Sequence, residues 1–183
     1  VASMDQEQWR RVPTRYSDGV LEIKHTPSAD SICYAYFVPY STDRHYKLIA
    51  RCQASENVRL TVPGTTALNR PVEILTFGGA DAQKPAFWII ARQHPGETMA
   101  EWFMEGLLHR LLDPHDGAVR SLLGRITLHA VPNMNPDGSA LGNLRVNSVG
   151  TNLNREWETP SLDKSPEVFY VRQKMLDSKI KFC

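Results

Sequence analysis

A histidine and a glutamate stand three residues apart in the stretch ARQHPGETMAEWF, residues 91–103. The imidazole nitrogens of His94 and the carboxylate oxygens of Glu97 are ligand atoms that zinc accepts. Between them, Gly96 permits a tight backbone turn, while Pro95 fixes φ and cannot donate a hydrogen bond. The pair therefore predicts a metal site. The alternative for such a short motif is an exposed histidine beside a glutamate that favours a helix start.

A second group of polar residues lies in the stretch GNLRVNSVGTNLNREW, residues 142–157, which is rich in turn-forming residues. Near a bound metal, Arg145 could stabilise the oxyanion of a carbonyl under attack, and Arg155 could bind a terminal carboxylate with two hydrogen bonds. Asn154 would add an amide donor to that carboxylate. Each arginine taken alone is more simply a solvated surface residue, but together with His94 and Glu97 they favour hydrolysis of a peptide end.

The segments around these motifs alternate between strand-like and helix-like patterns. We expect strands in GVLEIKHTP, DSICYAYFVPYS, NVRLTV, PVEILTF, AFWIIAR and RITLHAV. Helices are expected over STDRHYKLIARCQAS, from Glu97 to Asp113, and over SPEVFYVRQKMLDSK with Ser165 as its N-cap. The alternation predicts an α/β sheet, and the strand AFWIIAR would end in the crevice where such folds place ligands.

The helix expected from Glu97 to Asp113 has an apolar stripe that Trp102 and Leu112 widen, so we expect it to be mostly buried. The stripe repeats at intervals of three and four residues and consists of Ala100, Phe103, Met104, Leu107, Leu108 and Leu111.

Composition and charge limit the classes of function. The 183 residues are 42% hydrophobic and 22% charged, as in a globular protein. The net charge of +1, with acids and bases intermixed, predicts neither nucleic-acid binding nor a membrane surface. No apolar run approaches the ~18 residues of a membrane span, and the start lacks the core of a secretory signal, which favours a cytoplasmic protein. The spacing of Cys33, Cys52 and Cys183 suits reduced thiols.

Three short strings resemble the zinc carboxypeptidases of the M14 family: HPGE after an apolar strand, NPDG at Asn135–Gly138, and LNREW at Leu153–Trp157. The longer strings YAYFVPYS, ARQHPGE and GNLRVNSVGTNLNR resemble its cytosolic carboxypeptidase branch, whose members carry a small β-sandwich before the catalytic domain. The resemblance covers most of the chain. It implies that residues 1–40 are the last strands of such a sandwich and that residues 41–183 are the first half of the catalytic α/β domain, a mixed sheet with helices on both faces.

The resemblance also implies roles for the candidate residues. His94 and Glu97 would bind Zn²⁺, and Arg145 would help to polarise the scissile carbonyl. Asn154 and Arg155 would hold the terminal carboxylate of the substrate. The partners would then be the C-termini of peptides or proteins, and the cytosolic branch implies a preference for terminal Glu or Asp.

Two residues that the family pattern requires have no counterpart in the sequence: a histidine as third zinc ligand and a catalytic glutamate. Within the chain, His129 is the one rival third ligand, on a predicted strand face that it shares with Thr127 and Val131. The chain also starts at Val1 and stops at KIKFC, which reads as the beginning of another strand. We therefore expect a fragment that is inactive alone and is completed by residues beyond Cys183.

Two other functions remain open at the level of the sequence. One is removal of an acyl group from an amino acid, a reaction of a related branch with similar HxxE and NR motifs. The other is a metal-free protein that only binds peptide ends, through Arg145, Asn154 and Arg155. Zinc analysis and a comparison of a C-terminal glutamyl peptide with an N-acyl amino acid would separate the three.

Overall fold

The computed structural model describes residues 1–79 and 83–178, together with the backbone of residues 180–182. The chain divides into two compact units, one of residues 1–39 and one that begins at Tyr40. Cys33 and Cys52 are free thiols, whereas Cys183 lies outside the described residues. In the described part of the chain, no helix combines the length and apolar character that crossing a membrane requires.

The first unit consists of short antiparallel pairs. Strand β1 (Ala2–Ser3) pairs with β4 (Cys33–Tyr34), and β2 (Thr14–Ser17) pairs with β3 (Val20–Ile23). Asp18 and Gly19 connect β2 to β3 with positive φ angles of 51° and 80°, the two-residue turn that an Asp-Gly pair favours. The strand predicted over residues 30–41 is confirmed only at β4, because β1 offers just two residues for pairing.

The second unit is built on a five-stranded mixed sheet with the strand order β5-β6-β8-β7-β9. Its strands are β5 (Val58–Thr61), β6 (Ile74–Phe77), β7 (Ala86–Ile90), β8 (Thr127–Val131) and β9 (Ile180–Phe182). The pairs β5·β6 and β6·β8 are antiparallel, while β7 is parallel to both β8 and β9. The mixed α/β sheet predicted from the sequence is confirmed, and the strand expected at KIKFC is present as β9.

Among the residues described, five helices and one 3-10 helix accompany this sheet. They are α1 (Thr42–Gln53), α2 (Met99–Leu111), α3 (Gly117–Arg125), α4 (Pro136–Leu141), the 3-10 helix Leu153–Arg155, and α5 (Pro166–Asp177). Helix α1 begins as predicted, since the side chain of Ser41 accepts a hydrogen bond from the backbone N–H of Arg44. Helices α3 and α4 were not predicted. Asp116 caps the first and Asn135 the second, each by accepting backbone N–H groups of the first turn.

Alternate residues of the central strands enter two separate hydrophobic clusters. Leu75 and Phe77 of β6 point to the cluster that includes apolar residues of α1, α2 and α3, whereas Ile74 points to the cluster that includes α5. Strand β8 divides in the same way, with Leu128 and Ala130 on one face and Val131 on the other. Helices therefore cover both faces of the sheet, as the resemblance implies.

Helix α2 is buried along a narrower face than its apolar stripe predicts. Met104, Leu108 and Leu111 are buried, but Phe103 is 63% exposed, so its predicted burial is wrong. Glu101 is fully buried and lies on the same face as Met104 and Leu108. This face of the helix, and not the face with Phe103, is therefore the one that points inward. A charged residue thus occupies a core position that an apolar pattern cannot identify.

Candidate metal and substrate site

His94 and Glu97 lie in the turn between the end of β7 and the start of α2, where the sequence places them. The Nδ1 atom of His94 is 3.2 Å from Oε1 of Glu97. Two ligands of a tetrahedral zinc, each about 2.1 Å from the metal, are about 3.4 Å apart. The pair therefore fits a shared zinc ion. His94 is 9% exposed, whereas half of the Glu97 side chain is accessible, so the pair opens to solvent on the glutamate side.

A third protein ligand is not found within residues 1–79 and 83–178, where no cluster of three or more His, Cys, Asp or Glu residues could hold a metal. His129, the rival ligand considered from the sequence, is engaged elsewhere. Its Nδ1 lies 2.9 Å from the hydroxyl of Thr76, and its ring stacks on Trp88 with centroids 4.4 Å apart. Burial lowers the pKa of His129, as expected for a neutral core histidine.

The other ring nitrogen of His94 has a partner that the sequence motifs did not indicate. Nε2 lies 3.3 Å from Oδ1 of Asn152. Because an amide oxygen only accepts, Nε2 would donate to Asn152 when Nδ1 binds a metal beside Glu97. The same oxygen of Asn152 accepts the backbone N–H of Asn154 at 3.1 Å. Asn152 thus connects the predicted metal ligand to the predicted carboxylate-binding segment.

The segment that carries Arg145 runs directly against the HPGE turn. The backbone N–H of Gly96 donates to the carbonyl of Leu144 at 3.0 Å. A Cβ atom at Gly96 would come within 2.7 Å of the Leu144 side chain, so this approach requires glycine. Arg145 therefore directly follows Leu144, which contacts the turn. Its side chain is exposed and makes no hydrogen bond or ion pair with the described residues, which leaves it available to a ligand.

Asn154 and Arg155 lie on the exposed 3-10 helix Leu153–Arg155, whose middle residue is Asn154. Leu153 is fully buried and anchors this helix in the core. Trp157 donates from Nε1 to the side chain of Gln93, the residue that precedes His94. The helix is consequently fixed against the HPGE turn from both ends, while Asn154 and Arg155 face outward.

The NPDG motif packs against the HPGE turn and connects it to neighbouring loops. Asp137 is fully buried and accepts hydrogen bonds from Thr66, the backbone of Leu68, Arg70 and Ser148. A Cβ atom at Gly138 would meet the Pro95 ring at 2.5 Å. The motif thus packs its glycine against the HPGE turn, and its carboxylate connects a neighbouring loop to the segment after Arg145.

Asn147 organises the loop between Arg145 and Asn154. Its side-chain oxygen accepts the backbone N–H groups of Val149 and Thr151, and its amide donates to the carbonyl of Lys164 at 2.9 Å. The same amide lies 3.4 Å from Glu167, a fully buried carboxyl whose Oε1 has no hydrogen-bond partner in the described structure. Burial raises the pKa of Glu167 to about 7.

The structure therefore brings five predicted residues to one region. His94 and Glu97 converge, and the segments that carry Arg145, Asn154 and Arg155 are each hydrogen-bonded to the turn between β7 and α2. A candidate metal-binding pair, with two exposed arginines on segments bonded to the same turn, has the groups needed to polarise a carbonyl and bind a carboxylate.

Two family patterns match the sequence. Residues 46–172 match the peptidase M14 family of zinc carboxypeptidases. Residues 1–37 match the N-terminal domain of cytosolic carboxypeptidases. The boundary between these two matches lies close to the division of the structure after Pro39.

Solved structures and characterised relatives agree with these matches. A metallo-carboxypeptidase from Burkholderia cenocepacia is 48% identical, with a TM-score of 0.91 over 96% of this chain. A metallo-carboxypeptidase from Pseudomonas aeruginosa, solved in complex with (2-guanidinoethylmercapto)succinic acid, is 44% identical, with a TM-score of 0.94 over 99% of this chain. Human cytosolic carboxypeptidase 1 is 29% identical over 163 residues, 80% of this chain. The chain spans about half the length of the two bacterial proteins, 48% of each, and 13% of the human protein.

Proposed function

Since this chain belongs to the zinc carboxypeptidases of the peptidase M14 family, we propose that it is part of an enzyme that removes the C-terminal residue of peptides or proteins. The observation that carries this proposal is the 3.2 Å approach of His94 Nδ1 to Glu97 Oε1 in a turn hydrogen-bonded to the segments with Arg145 and Arg155. The same turn thus joins a metal ligand pair to both predicted substrate-binding groups.

His94 and Glu97 would hold the zinc ion, one through Nδ1 and the other through a carboxylate oxygen. When bound, zinc polarises the scissile carbonyl and lowers the pKa of a water molecule. The resemblance requires a third histidine ligand and a glutamate that accepts the proton of that water. We propose that both are supplied from outside residues 1–183.

Arg145 would act on the scissile carbonyl. Its guanidinium is exposed and unpaired within the described residues, and its neighbour Leu144 accepts the hydrogen bond of Gly96 beside the metal pair. A donor that meets a negative charge developing in the transition state lowers the barrier to hydrolysis more than it strengthens ground-state binding. We therefore assign Arg145 the role of stabilising the oxyanion.

Asn154 and Arg155 would bind the terminal carboxylate, which is what restricts the enzyme to the last peptide bond. An arginine guanidinium matches a carboxylate with two parallel hydrogen bonds, and an asparagine amide adds a third donor. The Pseudomonas aeruginosa relative was solved with a compound that carries carboxyl groups, (2-guanidinoethylmercapto)succinic acid, which is consistent with a carboxylate-binding site in this family. We further propose that released residues are Glu or Asp and that the enzyme is cytoplasmic, as the resemblance to cytosolic carboxypeptidases implies.

Zinc content and peptidase activity of the complete enzyme that contains residues 1–183 test this function. We expect one zinc ion per protein and release of single C-terminal residues. His94→Ala should lose both properties, while His115→Ala, which changes an exposed histidine on a turn, should keep them. A protein that binds C-terminal peptides equally well with and without zinc, and never cleaves them, would instead be the metal-free binder.

A further inference from the structure

Four charged side chains are buried together behind the HPGE turn. The exposed fractions are 0% for Glu101, 3% for His45, 6% for Arg92 and 8% for Glu73. They form one continuous chain of hydrogen bonds. Arg92 Nη1 donates to Glu101 Oε2 at 2.7 Å, and His45 lies 2.6 Å from Glu101 through Nδ1 and 2.6 Å from Glu73 through Nε2.

This cluster is electrically neutral as a whole. Burial lowers the pKa of His45, but the hydrogen bonds to Glu101 and Glu73 outweigh burial and raise the pKa to about 9. At neutral pH the ring is therefore a cation, and both of its nitrogens donate. Two positive groups, Arg92 and His45, then face two carboxylates, which satisfies each buried charge.

Burying four charges is a costly way to hold helices together. Removing an ion from water costs several kcal/mol even after relaxation, and apolar side chains of similar volume often stabilise a core as well or better. The neighbouring cluster around Leu48, Met104 and Leu108 shows that this part of the molecule can be packed with apolar residues. The cost suggests that the charged cluster serves geometry rather than cohesion.

Arg92 connects the cluster to the turn that carries the predicted zinc ligands. It lies two residues before His94 and adopts a positive φ of 50°, which is uncommon for a residue with a side chain. Its Nε donates to the carbonyl of Pro95 at 2.9 Å, and its Nη1 also donates to the carbonyl of Tyr40 at 2.9 Å. The planar guanidinium therefore fixes the peptide that follows Pro95.

Glu101 connects the same guanidinium to helix α2. It lies four residues beyond Glu97, which stands two residues before the first helical residue, Met99. One end of the Arg92–Glu101 ion pair is thus attached to the turn with His94, and the other to the helix that follows Glu97. The ion pair therefore joins the turn that contains both candidate ligands to the helix that follows it.

We propose that Arg92 is a positioning residue for zinc binding, that Glu101 orients Arg92, and that His45 and Glu73 orient Glu101. Arg92 acts through the carbonyl of Pro95 and is not itself a catalytic residue. This inference rests on the proposed function, because it requires His94 and Glu97 to be zinc ligands.

The variant Arg92→Lys tests the inference, because lysine keeps the charge but lacks the planar fork that reaches two carbonyls and a carboxylate. We expect the zinc dissociation constant of the protein, measured by competition with a chelator, to rise about 10-fold or more, the usual effect of losing a partner that orients a ligand. The unfolding midpoint of the metal-free protein is measured in parallel.

Arg44→Lys is the matched control. Arg44 makes two hydrogen bonds of 2.6 Å to Glu105, one helical turn after Glu101 on the same helix, but it does not touch the turn. This variant should shift the unfolding midpoint and leave zinc affinity within about 2-fold of wild type.

The results separate the inference from the function. Wild-type zinc affinity in Arg92→Lys, with loss only in His94→Ala, would overturn the inference and leave the proposed function intact. Equal zinc binding by wild type and His94→Ala would overturn both. If Arg92→Lys does not fold, Glu101→Gln serves instead, since it preserves volume and removes the charge. It is expected to weaken zinc binding to a similar extent, and unchanged binding would contradict the proposal.

Discussion

The Nε2 atom of His94 lies 3.3 Å from Oδ1 of Asn152, so the predicted zinc ligand contacts the segment that is predicted to bind the substrate. Replacing Asn152 with alanine removes the acceptor to which Nε2 would donate when Nδ1 binds a metal. We expect the zinc dissociation constant to rise roughly 10- to 100-fold, measured by chelator competition.

Two further variants show whether this effect is specific. Asn152→Asp retains an oxygen at the same position and should bind zinc far better than Asn152→Ala. Asn57→Ala, on an exposed turn, should bind zinc like wild type. An Asn152→Ala protein with normal zinc affinity would show that the 3.3 Å contact does not orient His94.

Arg145 and Arg155 should affect different kinetic constants. We propose that Arg155 binds the terminal carboxylate, which is present in both the substrate and the transition state. Arg155→Ala should therefore mainly raise KM. We propose that Arg145 stabilises the oxyanion, whose charge develops during the reaction. Arg145→Ala should therefore lower kcat by about 100-fold or more. Steady-state kinetics on one peptide would measure both. Equal increases in KM, with kcat unchanged in both variants, would contradict the two roles.

Substrate preference can be measured with three peptides that differ only in a terminal Glu, Lys or Phe. The resemblance to cytosolic carboxypeptidases predicts that kcat/KM is highest for Glu, because basic side chains in the specificity pocket would pair with its carboxylate. The same peptide with a C-terminal amide should be resistant, since Asn154 and Arg155 would lose their ligand. Fastest release of Phe would refute the acidic preference.

Glu167 should make stability depend on pH. Its pKa in the folded protein is about 7, above its ordinary value of 4.5, because burial disfavours the charged form. Below pH 4.5 the carboxyl is protonated in both the folded and the unfolded protein, so ionisation of Glu167 does not reduce the free energy of unfolding there. As the pH rises through 7, ionisation lowers the free energy of unfolding by an amount on the order of 3 kcal/mol.

Urea unfolding of wild type and Glu167→Gln at pH 5 and pH 8 measures this loss. The amide does not titrate, so the stability of the variant relative to wild type should increase between the two pH values. Glu158→Gln, at an exposed position, should show no such trend. A difference between Glu167→Gln and wild type that is independent of pH would mean that Glu167 ionises normally in the folded state.

Local patterns were sufficient to predict the elements that carry the site. The apolar run before His94 indicated β7, and the spacing of Met104, Leu108 and Leu111 indicated α2, because burial on one face leaves a periodic trace in the sequence. The run Ser41–Asp43 offered three capping candidates for the start of α1, and Ser41 is the one that caps it, because capping involves residues three apart. The HPGE and NR motifs marked the candidate site for the same reason: their residues are close in sequence.

Features that depend on distant segments were not predictable. His45, Glu73, Arg92 and Glu101 come from four segments, and nothing near any one of them in sequence indicates a buried charge. The same holds for Asn152, whose contact with His94 spans 58 residues. Helices α3 and α4 were missed for a local reason, since both begin among Gly and Pro residues near Asp116 and Asn135, which are more typical of turns.

The supports of the HPGE turn set a limit on when the site can form during synthesis of the chain. Four of the residues that support the HPGE turn follow Glu97 in the sequence: Gly138, Leu144, Asn152 and Trp157. The last of them is 60 residues later (157 − 97). Ribosomes add about 5–20 residues per second, so the turn exists for roughly 3–12 s before these contacts become available. A zinc ion that arrived in this interval would meet two candidate ligands that the contacts of residues 138–157 do not yet hold in place. We therefore expect metal capture to follow the formation of these later contacts.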